Sequence, residues 1–157
     1  MKRLLIACFV VCISAFFLTA NSNAADSSYT MEQHHLAGMN VIEYTFTASS
    51  SSGGYSAVTT PNIDGFIIMA ETSNAAAPYT PTALYDIVIN KTSIDGMTSV
   101  DIFGGTLANR SGTSVQRAMP LQNGNYTGVP NQGSLSIAIT NNSVVSAVIR
   151  LKIFYYP

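Results

Sequence analysis

The sequence predicts an all-β protein: a single antiparallel β-sandwich of seven or eight short strands, with a jelly-roll variant also consistent. Three observations predict it. Several separate stretches alternate apolar and polar residues with a period of two, which gives a strand one buried and one solvated face. Clusters of Gly, Asn, Asp, Ser and Pro separate those stretches, as turns require. After the N-terminal apolar run, no stretch carries the period of a long helix. Two packed antiparallel sheets are the natural way to bury so many half-apolar strands.

The first segment stands apart from the fold. Lys2 and Arg3 precede the apolar run "LLIACFVVCISAFFLTA", and small residues at Ser22 and Ala24 then supply a signal-peptidase site. Residues 1–24 are therefore expected to be a cleaved export signal. Both cysteines, Cys8 and Cys12, lie in that run, so the mature chain of 133 residues would have none and would rely on its core. Residues 25–39 read as an N-terminal arm and residues 40–157 as the sandwich domain.

Within that domain the elements follow in order. In "NVIEYTFTA", Ile42, Tyr44 and Phe46 share one face. The stretch "SSSSGGYS" at 49–56 is a flexible connection, and "IDG" at 63–65 and again at 94–96 offers tight turns. "GFIIMA" at 65–70 is continuously apolar, as in a central strand covered on both sides. "NAAAPYTP" at 74–81 carries two prolines and breaks regular structure. "ALYDIVIN" sets Tyr85, Ile87 and Ile89 together, and "SVDIF" sets Val100 with Ile102 before Gly104 and Gly105 end or bend the strand. "QNGNYTGVPNQG" at 122–133 reads as a long loop. "SLSIAIT" and "VIRLKIFYY" are the last two strands, and "TNNS" at 140–143 is expected to join them as a hairpin.

Composition narrows the function. Without Lys2 and Arg3, five basic residues face eight acidic ones, a net charge of −3. That sign and density exclude nucleic-acid binding by phosphate neutralisation. "DIFGGTLANRSG" at 101–112 brings a carboxylate, a glycine pair and a guanidinium together, but it lacks the lysine and following helix of a phosphate loop, and a strand corner explains it. His34 and His35 are the only histidines; as neighbours on a strand they point to opposite faces, and no cysteine or further histidine completes a metal set. Asp64, Asp95 and Asp101, with Asn62 and Asn90, match no calcium-loop spacing. No serine sits in a G-x-S-x-G elbow. The expectation is a protein that is not an enzyme, with no cofactor, no metal, no nucleic-acid partner and no membrane association after signal cleavage.

A resemblance covers residues 40 to 156. Tyr85-Asp86-Ile87, the Asp95-Gly96 turn, the segment Gly104-Gly105, Leu107-Ala108 and Arg110, and the closing Asn141-Asn142-Ser143 resemble a group of small β-rich proteins encoded by tailed bacteriophages and prophages. The resemblance implies a virion-associated or accessory structural role. In outline the chain is also similar to exported fimbrial subunits, with an N-terminal strand to donate and an alternating C-terminal strand carrying Tyr156 one from the end.

All eight tyrosines fall after residue 24, several in loops rich in Asn, Ser and Gly, a composition suited to adhesive recognition. The expected ligand or partner surface is Tyr55, Tyr79, Asn109, Arg110 and Tyr126. Replacing Arg110 and Tyr126 with alanine is expected to weaken partner binding and leave folding intact. The expected partners are further copies of the chain, a protein or a surface glycan. Lack of tryptophan weighs against a secreted carbohydrate-binding module. The expected location is exported (extracellular, cell surface or periplasm), or the virion if the phage resemblance holds.

Overall fold

The computed structural model describes residues 26–36, 38–92 and 99–157. The expected export signal, with Cys8 and Cys12, and the expected Asp95–Gly96 turn lie outside the described residues.

The described chain is all-β and pairs antiparallel throughout. The larger sheet runs in the order β1 (Ser28–Leu36), β2 (Met39–Thr47), β12 (Val148–Tyr156), β4 (Gly65–Asn74), β10 (Val129–Asn131), and β7 (Gln116–Ala118) also pairs with β4. The smaller sheet runs β3 (Val58–Thr59), β11 (Leu135–Thr140), β5 (Asp86–Thr92), β6 (Ser99–Asp101). A separate hairpin joins β8 (Leu121–Gln122) to β9 (Asn125–Tyr126).

The period-two alternation reports the inner faces. Ile42, Tyr44 and Phe46 on β2 and Ile149, Leu151 and Ile153 on β12 share one core with Ile87 and Ile89 on β5 and Leu135, Ile137 and Ile139 on β11. Full burial of each such aliphatic side chain contributes roughly 1.5–3 kcal/mol of transfer free energy, so these stretches dominate the fold.

Four expectations change. The "GFIIMA" strand is central in its hydrogen bonding but covered on one face only: Ile67 and Ala70 are buried, Ile68 and Met69 half-buried, and Phe66 exposed. A bulge explains the run, because Phe154 pairs with Met69 and Tyr155 with Ile67, leaving Ile68 as the extra residue. The 140–143 segment is not a hairpin, since β11 and β12 lie in different sheets and the chain crosses between them there. Asn142 ties this crossover to two other loops, accepting from the Thr82 N–H at 2.9 Å and donating to the Gly53 carbonyl at 2.6 Å. The 122–133 loop contains an Asn123-Gly124 turn with φ of 50° and 81°, the two left-handed residues of a type I′ hairpin, followed by β10. The 49–56 connection is closed on itself by Ser49 N–H to Gly54 O at 2.8 Å and Gly53 N–H to Ser49 O at 3.1 Å.

The 101–112 stretch is a corner. The Asp101 carboxylate accepts from the N–H groups of Phe103 and Gly105 at 3.0 and 2.8 Å, and Ile102, Phe103 and Leu107 turn into the core. Its charge is used to close a turn.

Candidate interaction surfaces

Arg110, expected at the surface, is buried, with 5% of its area exposed. It bridges Tyr85 in the backbone, and its Nε and Nη2 both donate to Thr72 Oγ1, at 3.1 and 3.0 Å. Nη1 donates to the Thr106 carbonyl at 3.4 Å. Among the described residues no carboxylate pairs with it, and burial pulls its pKa below the ordinary arginine value, with the nearby Tyr85 opposing. The buried Tyr85 hydroxyl donates to Asn74 Oδ1 at 2.9 Å, and burial pushes its pKa up. Arg110 thus anchors the corner to β4 from inside.

The other expected surface residues separate. Tyr55 is half-buried, meets Phe46 edge-on at 6.4 Å, and donates its hydroxyl to the Ala147 carbonyl at 3.2 Å. One side of it still lines a hollow of about 290 Å³ with Ser52, Thr140, Asn141 and Asn142. Tyr79 is exposed, and its carbonyl receives the Val148 N–H at 2.8 Å. Asn109 is exposed in a left-handed conformation, φ 53°, with its N–H held by the Asp86 carboxylate at 2.6 Å. Tyr126 is exposed, at 66%. It lines a different hollow, about 340 Å³, with Thr106, Arg117, Ala118 and Met119. The five residues do not form one continuous lining.

Sequence reasoning missed Arg117 and Met119, which stand beside Tyr126 because β7 packs along β4. It also missed the larger feature, the free edge formed by β1. Every described side chain of β1 from Ser28 to His35 is exposed, and β1 pairs with β2 alone among the described strands. The start of this strand is pinned by the Asp26 carboxylate, which accepts from the Ser50 N–H at 2.9 Å and from the Ser50 hydroxyl. Hydrogen bonds from the Ser49 and Ser50 hydroxyls hold the Asp26 carboxyl down to about 2.

The outer face of the larger sheet carries a row of charge set by register. Glu32, Glu43, Lys152, Glu71 and Arg117 lie directly opposite one another across β1, β2, β12, β4 and β7. Lys152 Nζ lies 3.5 Å from Glu43, and Arg117 Nε lies 2.8 Å from Glu71. At the β1 end two glutamates oppose each other, and His34 Nε2 sits 3.6 Å from Glu32 and 3.9 Å from Glu43. Among the described residues, no group of three or more His, Cys, Asp or Glu side chains is placed to hold a metal.

What the fold and these surfaces define is an all-β sandwich in which β1, among the described residues, leaves a long strand edge unpaired, and whose buried polar groups are used to tie loops together. No protein-family model matches the chain, and no curated protein matches it in sequence. Among solved structures, a chain of the cyanophage Pam1 capsid asymmetric unit is similar to it, with 18% identity over 89% of this chain and 99% of its own, at a TM-score of 0.42. The sandwich assignment stands on the strand pairing above.

Proposed function

We propose that the protein is a non-enzymatic structural subunit, of the virion or prophage-accessory kind, that works by associating with copies of itself or with a partner surface. The observation that carries this reading is the β1 edge: nine residues of strand with one side of the backbone unpaired among the described residues. A bare strand edge offers a ready row of N–H and C=O groups to another chain. The resemblance of the Tyr85–Arg110 region to phage-encoded β-rich proteins supports the virion version. The test is the intact mass and oligomeric state of the protein purified from its native source. Regular assemblies in virus particles or at the cell surface are expected. A protein that stays monomeric and partnerless at every concentration would refute the reading.

One feature favours a second reading, a glycan-binding module. The hollow lined by Tyr55, Asn141, Asn142 and Thr140 combines an aromatic wall with amide and hydroxyl groups. A glycan array distinguishes the two, because only the second reading predicts a signal that Tyr55→Ala or Asn141→Ala removes.

A further inference from the structure

We infer that the free edge of β1 pairs with β1 of a second copy, antiparallel about a two-fold axis that passes through Gln33. This rests on the structural-subunit reading above and names its partner and its register.

The edge itself points to β1. The opposite edge of the larger sheet is divided between β10, which carries Pro130, and the three-residue β7. In the smaller sheet, β3 has two residues and β6 has three. Short strands and proline are how sheet edges are kept from pairing. β1 has nine residues and no proline. Its outward-turned chemistry is also unfinished. On the core side, Tyr29 and Met31 lie opposite Phe46 and Tyr44 yet stay 50% and 38% exposed.

Charge selects the occupant and the register. Residues directly opposite one another in a sheet share a face, so a two-fold pairing that keeps both outer faces together must place one residue of β1 on the axis. An axis at Glu32 sets two carboxylates against each other, and an axis at His34 sets two imidazoles against each other. An axis at Met31 leaves Glu32 facing Thr30. With Gln33 on the axis, Glu32 of each copy faces His34 of the other, and seven of the nine residues, 30 to 36, find partners. Glu32 needs such a partner, because it lies opposite the like-charged Glu43 and has only His34 beside it among the described residues. The pairing extends the charge row through the interface, and on the core side it sets the two Gln33 amides face to face and Met31 against His35.

The experiment uses the full chain with Cys8→Ser and Cys12→Ser, so that an added thiol is unique. Opposed residues on antiparallel strands have Cα atoms about 4.5–5.5 Å apart, within disulfide reach. Gln33→Cys is expected to cross-link into a covalent dimer under mild oxidation, while Glu32→Cys and His34→Cys are not. In parallel, light scattering on otherwise unaltered protein reads the dimer constant. Glu32→Lys and His34→Glu should each weaken association about tenfold, and the double exchange should restore it, as complementary charges at an interface do. Folding is expected to tolerate these changes, since each side chain is exposed, and thermal unfolding of each variant checks this. A dimer that cross-links through position 32 or 34 instead of 33 overturns this register and leaves the edge-association reading standing. A monomer at all concentrations, with no cross-link, overturns both.

Discussion

Arg110 separates a surface role from an internal one by a measurable amount. Removing its side chain to Ala deletes the two donors to Thr72 Oγ1 and the weaker one to the Thr106 carbonyl. Hydrogen bonds to a charged group are worth roughly 1.5–3 kcal/mol each, less here because one oxygen accepts two of them. Two buried methylenes add about 1.6 kcal/mol at ~0.8 each. Against this stands the relief of removing a buried cation that no carboxylate neutralises, a gain that can amount to several kcal/mol. The expected net loss for Arg110→Ala is about 3 kcal/mol, or roughly 10 °C in melting temperature for a domain of this size. Arg110→Met keeps the stem and buries no charge, so it should lose about 1 kcal/mol or less. Tyr126→Ala, at an exposed position, should stay within ~0.5 kcal/mol of the parent. Urea unfolding with the slope held common gives all three numbers. An Arg110→Ala protein as stable as Tyr126→Ala would show that the guanidinium is not in the interior, and the corner described above would be wrong.

Three further outcomes follow from the same reasoning. Gly104 has φ 56°, and an added Cβ would collide with the Leu121 carbonyl oxygen, whereas Gly105 has φ 81° with nothing near. Gly105→Ala should therefore lose about 1–2 kcal/mol for its left-handed backbone alone, and Gly104→Ala distinctly more, as read from unfolding midpoints. Asp26, held down from 3.8 to about 2, favours the folded anchor above its unfolded value and loses that contribution as pH falls from 3.8 towards 2. Amide exchange near Ser50 should accelerate over that window, and Asp26→Asn should abolish the step. Burial first, then the neighbouring Tyr29, pushes the Tyr44 hydroxyl up to about 12 from 10.0. Its contribution is intact below 10 and disappears as pH rises through 12. In a tyrosinate absorbance titration Tyr44→Phe should remove one late-titrating tyrosine, since burial pushes the Tyr55 and Tyr85 hydroxyls up as well. Because the buried Tyr44 hydroxyl has no partner among the described residues, Tyr44→Phe should be neutral or stabilising by about 1 kcal/mol at neutral pH.

How much was legible depended on whether a local pattern carried the information. Tyr85, Ile87 and Ile89, or Leu135, Ile137 and Ile139, announce a strand and its buried face because burial on one side imposes a period of two. Which sheet a strand joins has no such local mark. "TNNS" looks like a hairpin because Asn141, at φ 62°, does turn the chain, but the turn directs β12 across the sandwich to β2 and β4. The continuous run "GFIIMA" was unreadable for a different reason: a bulge adds one residue and breaks the alternation, so a strand with one solvated face imitates one covered on both. Arg110 was misplaced because its neighbours Ala108, Asn109, Ser111 and Gly112 are those of a surface turn. Its burial depends on Thr72, which is 38 residues away in sequence.

The β1 strand was illegible for the reason that makes it interesting. "SYTMEQHHL" mixes Tyr29 and Met31 with Glu32, Gln33 and two histidines, so neither alternate set is apolar throughout. A strand buried on one face must show that face in its residues; a strand exposed on both faces has no such requirement and reads as an arm. Its partner β2 does show the signature, with Ile42, Tyr44 and Phe46 buried, and the register then aligns Gln33, Met31 and Tyr29 beside them. The core of one copy thus accounts for β2 and does not account for the placement of Glu32 directly opposite Glu43, a like-charge pair that stability of a single copy would disfavour. Within one copy His34, 3.6 Å from Glu32, and Lys152, 3.5 Å from Glu43, offset that repulsion only in part, and a second β1 brings a further His34 up to Glu32. The charge-exchange pair at Glu32 and His34 tests the two accounts together, because Lys at position 32 should relieve the repulsion with Glu43 within one copy while weakening association between copies. A variant more stable as a monomer and poorer as a dimer is the expected result, and a variant unchanged in both would leave the placement of Glu32 opposite Glu43 without a physical cause.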